Sequence, residues 1–285
     1  MSQNTPPKAE QTSTLIPVLA GGGARLPAYI GILEALENLG IECPHYVGVS
    51  GGSIVAALRA SGHSLEEMRQ IALGTNFAEF LGQNVVSLLR SGGLSNGDRF
   101  EEWMDERVGG RCFDELDEEL TVIATDVRSG TPVVFSRRTT PRERVSLAIR
   151  FSMSVPLLFS FKNHGEQIMT DGSILSEEAR RADWSGEGTP VVIFKLRGSG
   201  GLAAPRHKPL VPLRSYLGML IHTFLTTIAH EFVSEEFWLS TIIIDVGDIS
   251  PVAFSLGAKD KERLYDMGLS QTLTHLPRKM GRLRS

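Results

Sequence analysis

Cysteine is nearly missing from this chain: Cys43 and Cys112 are the only two in 285 residues. That excludes a disulfide framework and a four-cysteine metal site, and the pair reads as free thiols in a reducing compartment. No window of 18 uncharged apolar residues occurs, so no membrane span is expected. Residues 1–14 are polar, carry Pro6 and Pro7 and lack the apolar core of a signal peptide. They are expected to form a disordered tail on a cytoplasmic protein, with delivery by a signal-independent route also compatible. Strong charge imbalance is missing too, since the formal net charge is −4. Aromatic residues make up only 7%, and no basic stripe is interleaved with them, so nucleic acid is not an expected partner. No G-x-x-x-x-G-K-[ST] loop is present to cradle a nucleotide. No D-x-[DN]-x-[DN]-G loop is present to hold calcium, so neither cofactor nor metal is expected. EDTA should therefore have no effect on the protein; a reversible effect of the chelator would overturn that expectation.

What remains is ordinary globular material, 41% hydrophobic and 22% charged. The length suits one large α/β domain, taken as 15–275. Apolar runs predict strands at 15–19, 45–49, 120–126, 132–136, 166–170, 190–196 and 241–246. Several are continuous, as in strands buried on both faces. Helical patterns fall at 27–39, 51–60, 64–73, 98–108, 141–150, 213–239 and 258–271. Pro27 suits the first turn of one helix and Gly40 its left-handed end; Ser64-x-x-Glu67 is a capping box. Such alternation predicts a three-layer α/β/α sandwich with a mainly parallel central sheet, whose ligands bind at the carboxyl ends of the strands.

Three candidate turns follow predicted strand ends. Residues 48–52 read Gly-Val-Ser-Gly-Gly, a G-x-S-x-G pattern between an extended run and a small-residue helix. That context suits a nucleophile elbow around Ser50, with Gly48 and Gly52 giving room for the sharp bend. The plainer alternative is a glycine-rich turn with an incidental serine. Gly21-Gly22-Gly23 ends the first strand and precedes a helix. Consecutive glycines there can turn bare N–H groups toward an anion, as in an oxyanion hole, where loss of one donor raises the barrier by about 3–4 kcal/mol. Asp171-Gly172 closes an extended segment, and by itself Asp-Gly is usually just a turn.

Gly-Gly-Gly-x-Arg, then G-x-S-x-G, then Asp-Gly resembles the patatin-like phospholipases in order and spacing. Residues 120–135, with Ala124-Thr125-Asp126 and Gly130, are similar to that family's hairpin. Residues 148–159 are similar to its Ala-x-x-x-Ser-x-x-x-Pro-x-x-Phe segment. The resemblance is good over about 15–180 and weaker beyond. It implies a serine lipid acyl hydrolase acting on phospholipids or related acyl esters, of phospholipase A or lysophospholipase type. Ser50 would be the nucleophile and Asp171 the base, without an intervening histidine. Gly21, Gly22, Gly23 and Gly51 would form the oxyanion hole, with Arg25, Gly48, Gly52 and Gly172 as motif support. Arg25 is expected to pack the glycine loop. The chain departs from the family pattern at Leu26-Pro27, at Ser173 and at Ser176–Ala179. Ser173 stands where it can hydrogen-bond Asp171 and alter its basicity.

Other readings stay open. The order Ser50, Asp171, then His222, His230 or His275 also fits a Ser-His-Asp esterase. A silent acyl-lipid binding module would keep the fold without turnover. Leu213, Leu217, Leu220, Ile221, Phe224, Leu225, Ile228 and Phe232 share one helical face, the mark of a core-facing amphipathic helix. As part of 197–239 that helix is alternatively a lid, a membrane-contact element or a homodimer face. Arg278, Lys279, Arg282 and Arg284 make 276–285 a basic tail.

Overall fold

The computed structural model describes residues 13–82, 93–175, 183–198 and 240–283, with positions 216, 219–221 and 223 in between. Most of the 197–239 segment, including His222 and His230, lies outside the described residues. So do residues 1–12 and 176–182.

Eight strands form the main sheet: β1 (Ile16–Ala20), β2 (His45–Val49), β3 (Glu119–Asp126), β4 (Thr131–Ser136), β5 (Lys162–His164), β6 (Gln167–Thr170), β7 (Val191–Arg197) and β8 (Thr241–Asp245). Their order is β8-β7-β1-β2-β3-β6-β5, and β4 also pairs with β3. The four pairings from β8 to β3 are parallel, while those made by β4, β5 and β6 are antiparallel. The α/β class with a mainly parallel sheet, expected from the strand–helix alternation, is therefore what the chain adopts. Flanking it are α1 (Pro27–Asn38), α2 (Gly51–Ala60), α3 (Leu65–Gly74), α4 (Asp98–Val108), α5 (Val145–Ser152) and α6 (Ala258–Leu283).

Strand residues divide between two apolar clusters, as a two-residue side-chain period requires. Leu19, Tyr46, Val122 and Phe194 enter the larger one together with side chains of α1, α2, α4 and α5. Ile16, Val18, Val47, Val49, Ile123 and Ile193 form the smaller. Both faces of the sheet are thus buried, which explains the uninterrupted apolar runs.

Local signals act as their chemistry dictates. Ser64 and Glu67 form the reciprocal capping box at the start of α3. Pro27 stands in the first turn of α1, and Gly40 follows that helix at φ 64°. Three boundaries differ from expectation. The chain pairs earlier than a tail over 1–14 implies, because Ser13–Thr14 runs parallel to Ile41–Glu42. Residues 141–144 form a turn that hydrogen-bonds Asp114 through the Pro141 carbonyl, so α5 begins only at Val145. The helix expected over 258–271 continues as α6 to Leu283, through Pro277 and most of the region expected to be a tail. Burial of Leu276 and a hydrogen bond from Lys279 Nζ to the Thr241 carbonyl hold the last turns in place beyond the proline. Among the described residues no helix is long and apolar enough to cross a membrane.

Candidate active site

One feature of the sheet brings distant turns together. Strand β3 pairs with β4 along one edge over residues 121–126. Its other edge is shared end to end by β2 and β6. Parallel β2 arrives from one end, its Val49 opposite Ile123. Antiparallel β6 arrives from the other, its Thr170 opposite Thr125. The next residue of β2 is Ser50 and the next of β6 is Asp171, so both emerge beside Ala124.

Ser50 sits at φ 51° and ψ −129°, one of two described non-glycine residues with positive φ. Such backbone strain costs on the order of 1–3 kcal/mol and needs surrounding support. The turn is tight enough that a Cβ on Gly48 would lie 2.4 Å from Ser53 Cα, and one on Gly52 2.1 Å from the Leu19 carbonyl oxygen. The second obstacle is backbone in β1 and cannot swing aside. Gly52→Ala is therefore expected to destabilise the fold by about 3 kcal/mol or more, read as a shift in the urea midpoint. Ser53 Oγ donates to the Ser50 carbonyl at 2.6 Å, and the Ser50 N–H donates to Ser152 Oγ at 2.8 Å.

Ser50 Oγ donates to Asp171 Oδ2 at 2.6 Å. Both residues are buried, at 2% and 0% exposure. Burial pushes the Asp171 carboxyl above the ordinary aspartate range. Hydrogen bonds from Ser50 and from the backbone and side chain of Ser173 pull the other way without cancelling the shift. The Ser173 N–H reaches Asp171 Oδ1 at 2.8 Å, so each carboxylate oxygen has a donor. Ser173, noted in the sequence as a departure, thus touches the carboxylate directly. Met153 Sδ lies 3.9 Å from Ser50 Oγ on an adjoining side.

The glycine loop packs against this pair. Gly21, Gly22 and Gly23 all have positive φ. A Cβ on Gly51 would lie 3.0 Å from Gly23 N, which places the loop directly on the elbow. Gly21, expected among the anion donors, is committed elsewhere. Its N–H donates to the Val49 carbonyl at 3.0 Å and its carbonyl accepts from Gly52 N–H at 3.0 Å. It extends the backbone bonding of β1 and β2 by one residue and fastens loop to elbow. No acceptor among the described residues takes the N–H groups of Gly22, Gly23 or Gly51. Buried Arg25 donates from Nε to the Gly22 carbonyl at 3.2 Å and so braces the loop from behind. Burial lowers its pKa to about 10, which leaves it charged at neutral pH. Tyr29 Oη adds a bond to the Ala20 carbonyl at 2.7 Å just before the loop.

Gly172 lies where a Cβ would meet the Ile123 carbonyl oxygen at 2.0 Å, keeping Asp171 close to β3. His275 is exposed on α6, and no described histidine bonds to Ser50 or Asp171. Ser152, Ser154 and Arg150 contact the site or its supports, yet the sequence marks them only as parts of a family-like segment. Among the described residues no group of three or more potential metal ligands is present.

Residues 18–178 match the description "Patatin-like phospholipase", more than half of the chain. The chain belongs to the patatin-like phospholipase family. It is similar to an uncharacterized protein of Acanthamoeba polyphaga mimivirus, with 23% identity over 94% of this chain and 96% of that one. It is also similar to the uncharacterized protein YqhO of Bacillus subtilis, 26% identical over 90% of this chain and 95% of the relative. An uncharacterized NTE family protein of Mycobacterium tuberculosis is 27% identical over 63% of this chain but only 30% of its own length. Among solved structures, VipD from Legionella pneumophila superposes with a TM-score of 0.65 at 15% identity, covering 95% of this chain and 68% of that one. The type III effector protein ExoU does so with a TM-score of 0.52 at 16% identity, covering 94% and 53%. These likenesses establish a shared fold. As a member of the patatin-like family, the chain falls among lipid acyl hydrolases in the general sense.

Proposed function

We propose that this patatin-like protein cleaves carboxylic esters of phospholipids or related acyl lipids with a serine–aspartate dyad. The observation that carries the reading is the 2.6 Å contact between Ser50 Oγ and buried Asp171 Oδ2, made without a histidine. Ser50 Oγ attacks the ester carbonyl carbon while Asp171 Oδ2 accepts its proton. The carbonyl oxygen becomes an anion beside the N–H groups of Gly22, Gly23 and Gly51, at the N-terminal end of α2, where the helix dipole adds positive potential. Collapse breaks the ester C–O bond, and Asp171 returns the proton to the leaving alcohol. An acyl-Ser50 intermediate remains. Water then donates a proton to Asp171 and attacks the acyl carbon, and Ser50 recovers its proton as the fatty acid departs.

Desolvation suits Asp171 to this work. An exposed aspartate, with a pKa of about 3.9, is a weak base at neutral pH. Raising that value narrows the gap to the serine hydroxyl. Arg25 acts through the glycine loop. A Ser-His-Asp triad has no support among the described histidines, and a pure binding module has no need for a carboxylate bonded to a strained serine. Peripheral contact with a membrane surface follows from the proposed substrate.

A fluorophosphonate probe tests the reading directly. Wild-type protein should be labelled on Ser50, and the protein should release fatty acid from phospholipid vesicles, followed by mass spectrometry. A folded wild-type chain that neither labels nor releases fatty acid would instead favour the binding module.

A further inference from the structure

We propose that Ser152, supported by Ser154 and Arg150, is a positioning residue that sets the register between nucleophile and base. This inference rests on the assignment of Ser50 and Asp171 just made and extends it to residues that touch neither the substrate nor the reacting atoms.

Ser152 is completely buried at the end of α5. A hydroxyl has a single proton to donate, and Ser152 gives it to the Ile123 carbonyl at 2.6 Å. The same oxygen accepts the Ser50 N–H at 2.8 Å. Ile123 is the β3 residue opposite Val49, and its carbonyl also lies against Gly172. One side chain therefore references the nucleophile's peptide to the strand on which Asp171 is also metered. The Ser53 hydroxyl holds the other side of that residue, through the Ser50 carbonyl. Between them the two hydroxyls fix both peptides flanking a strained φ.

Two residues later the same segment reaches the base. The Ser154 carbonyl accepts the Asp171 N–H at 3.1 Å and Thr170 Oγ1 at 3.0 Å. Ser154 Oγ accepts from Arg150 Nη1 at 2.6 Å and donates to the Arg150 carbonyl at 2.9 Å. Arg150 is fully buried, and its described hydrogen-bond partners include no carboxylate. Its Nη2 bridges the Asn96 and Ser160 carbonyls at 2.6 and 2.9 Å, and the guanidinium lies 5.2 Å from the centre of the Phe159 ring. The chain thus commits a buried cation to fixing the turn that carries Ser154. Residues 150–154 grip the serine's N–H at one point and the aspartate's N–H at another.

Ser152→Ala leaves the Ser50 N–H without its acceptor and frees the elbow to relax. Misplacement of a reacting group by about 1 Å costs on the order of 100-fold in rate. We expect kcat to fall between about tenfold and that limit, with KM and the acid midpoint of the rate profile unchanged. Rates are referred to sites titrated by the fluorophosphonate probe, so loss of folded protein does not imitate the effect. Ser152→Thr, which keeps the hydroxyl, should retain more of the rate than Ser152→Ala. Wild-type kcat in folded Ser152→Ala, with only the melting temperature lowered, would reduce the residue to a packing role and overturn the proposal. Equal losses in the Ala and Thr variants would do the same. If Ser152→Ala fails to fold, Ser154→Ala takes its place: it keeps the carbonyl that holds Asp171 but removes the Arg150 Nη1 contact with that turn. A several-fold loss of kcat is expected there, and an unchanged kcat overturns the proposal. Ser50→Ala run in parallel separates the two ideas. Turnover surviving in that variant removes the dyad itself, whereas its loss beside a fully active Ser152→Ala removes only the positioning role.

Discussion

Ser50→Ala is expected to lower ester turnover by about 10⁴-fold or more while leaving the fold intact. Alanine keeps the Cβ, so the strained elbow and its packing are unchanged, and only the oxygen bonded to Asp171 is lost. The Ser50 backbone bonds to Ser152 and Ser53 do not involve that oxygen and should persist. What remains is ground-state binding and any oxyanion stabilisation available to an attacking water. Fatty acid release from phospholipid vesicles measures the loss, and fluorophosphonate labelling should vanish with it. Turnover within tenfold of wild type, in a variant with unchanged circular dichroism, would show that another nucleophile does the work.

Asp171→Asn should cut kcat by about 10³–10⁴-fold, because an amide cannot take the serine's proton. The same change is expected to raise stability near neutral pH. The folded carboxyl has its pKa raised, chiefly by burial. Between the unfolded pKa and that higher folded value, the native state binds more protons than the unfolded one. Wild-type stability contributed by this group therefore declines as pH rises through that window and stays reduced above it. Asparagine carries no such dependence. The melting-temperature advantage of Asp171→Asn should be largest near neutral pH and shrink on acidification toward the ordinary aspartate range. Wild-type kcat should also fall as pH drops through the raised pKa, because a protonated Asp171 is no longer a base. A variant less stable than wild type at neutral pH, or a wild-type acid limb at or below an ordinary aspartate value, would contradict this account.

The sequence makes Ser50, Asp171 and the glycine loop visible because each is a turn after an apolar run, and turn chemistry is local. The pattern Gly48-x-Ser50-x-Gly52 reports its own steric needs, and the sheet confirms them in the approach of Gly52 to Leu19. Gly21 shows where local reasoning ends. Nothing within the triplet distinguishes the glycine that continues a ladder from the two whose N–H groups have no acceptor among the described residues. The distinction comes from Val49 on the neighbouring strand. Ser152 is hidden for the same reason, since its bond joins residues 102 positions apart. A serine in a helical stretch gives no sign that a distant backbone N–H requires it. The extension of α6 beyond Pro277 is a tertiary effect as well: local propensity argues for a stop, and anchoring by Leu276 and Lys279 overrides it.

The shared edge of β3 has a consequence for how this protein can vary. Ser50 and Asp171 are counted off one ruler by backbone pairing, so their separation does not depend on how much polypeptide lies between them. Intervening loops other than the 150–154 segment are free to lengthen, shorten or acquire new modules without moving the pair apart. A one-residue slip of either strand along the ruler would instead move Ser50 or Asp171 by about 3.3 Å and break their contact while most of the protein's surface stayed the same.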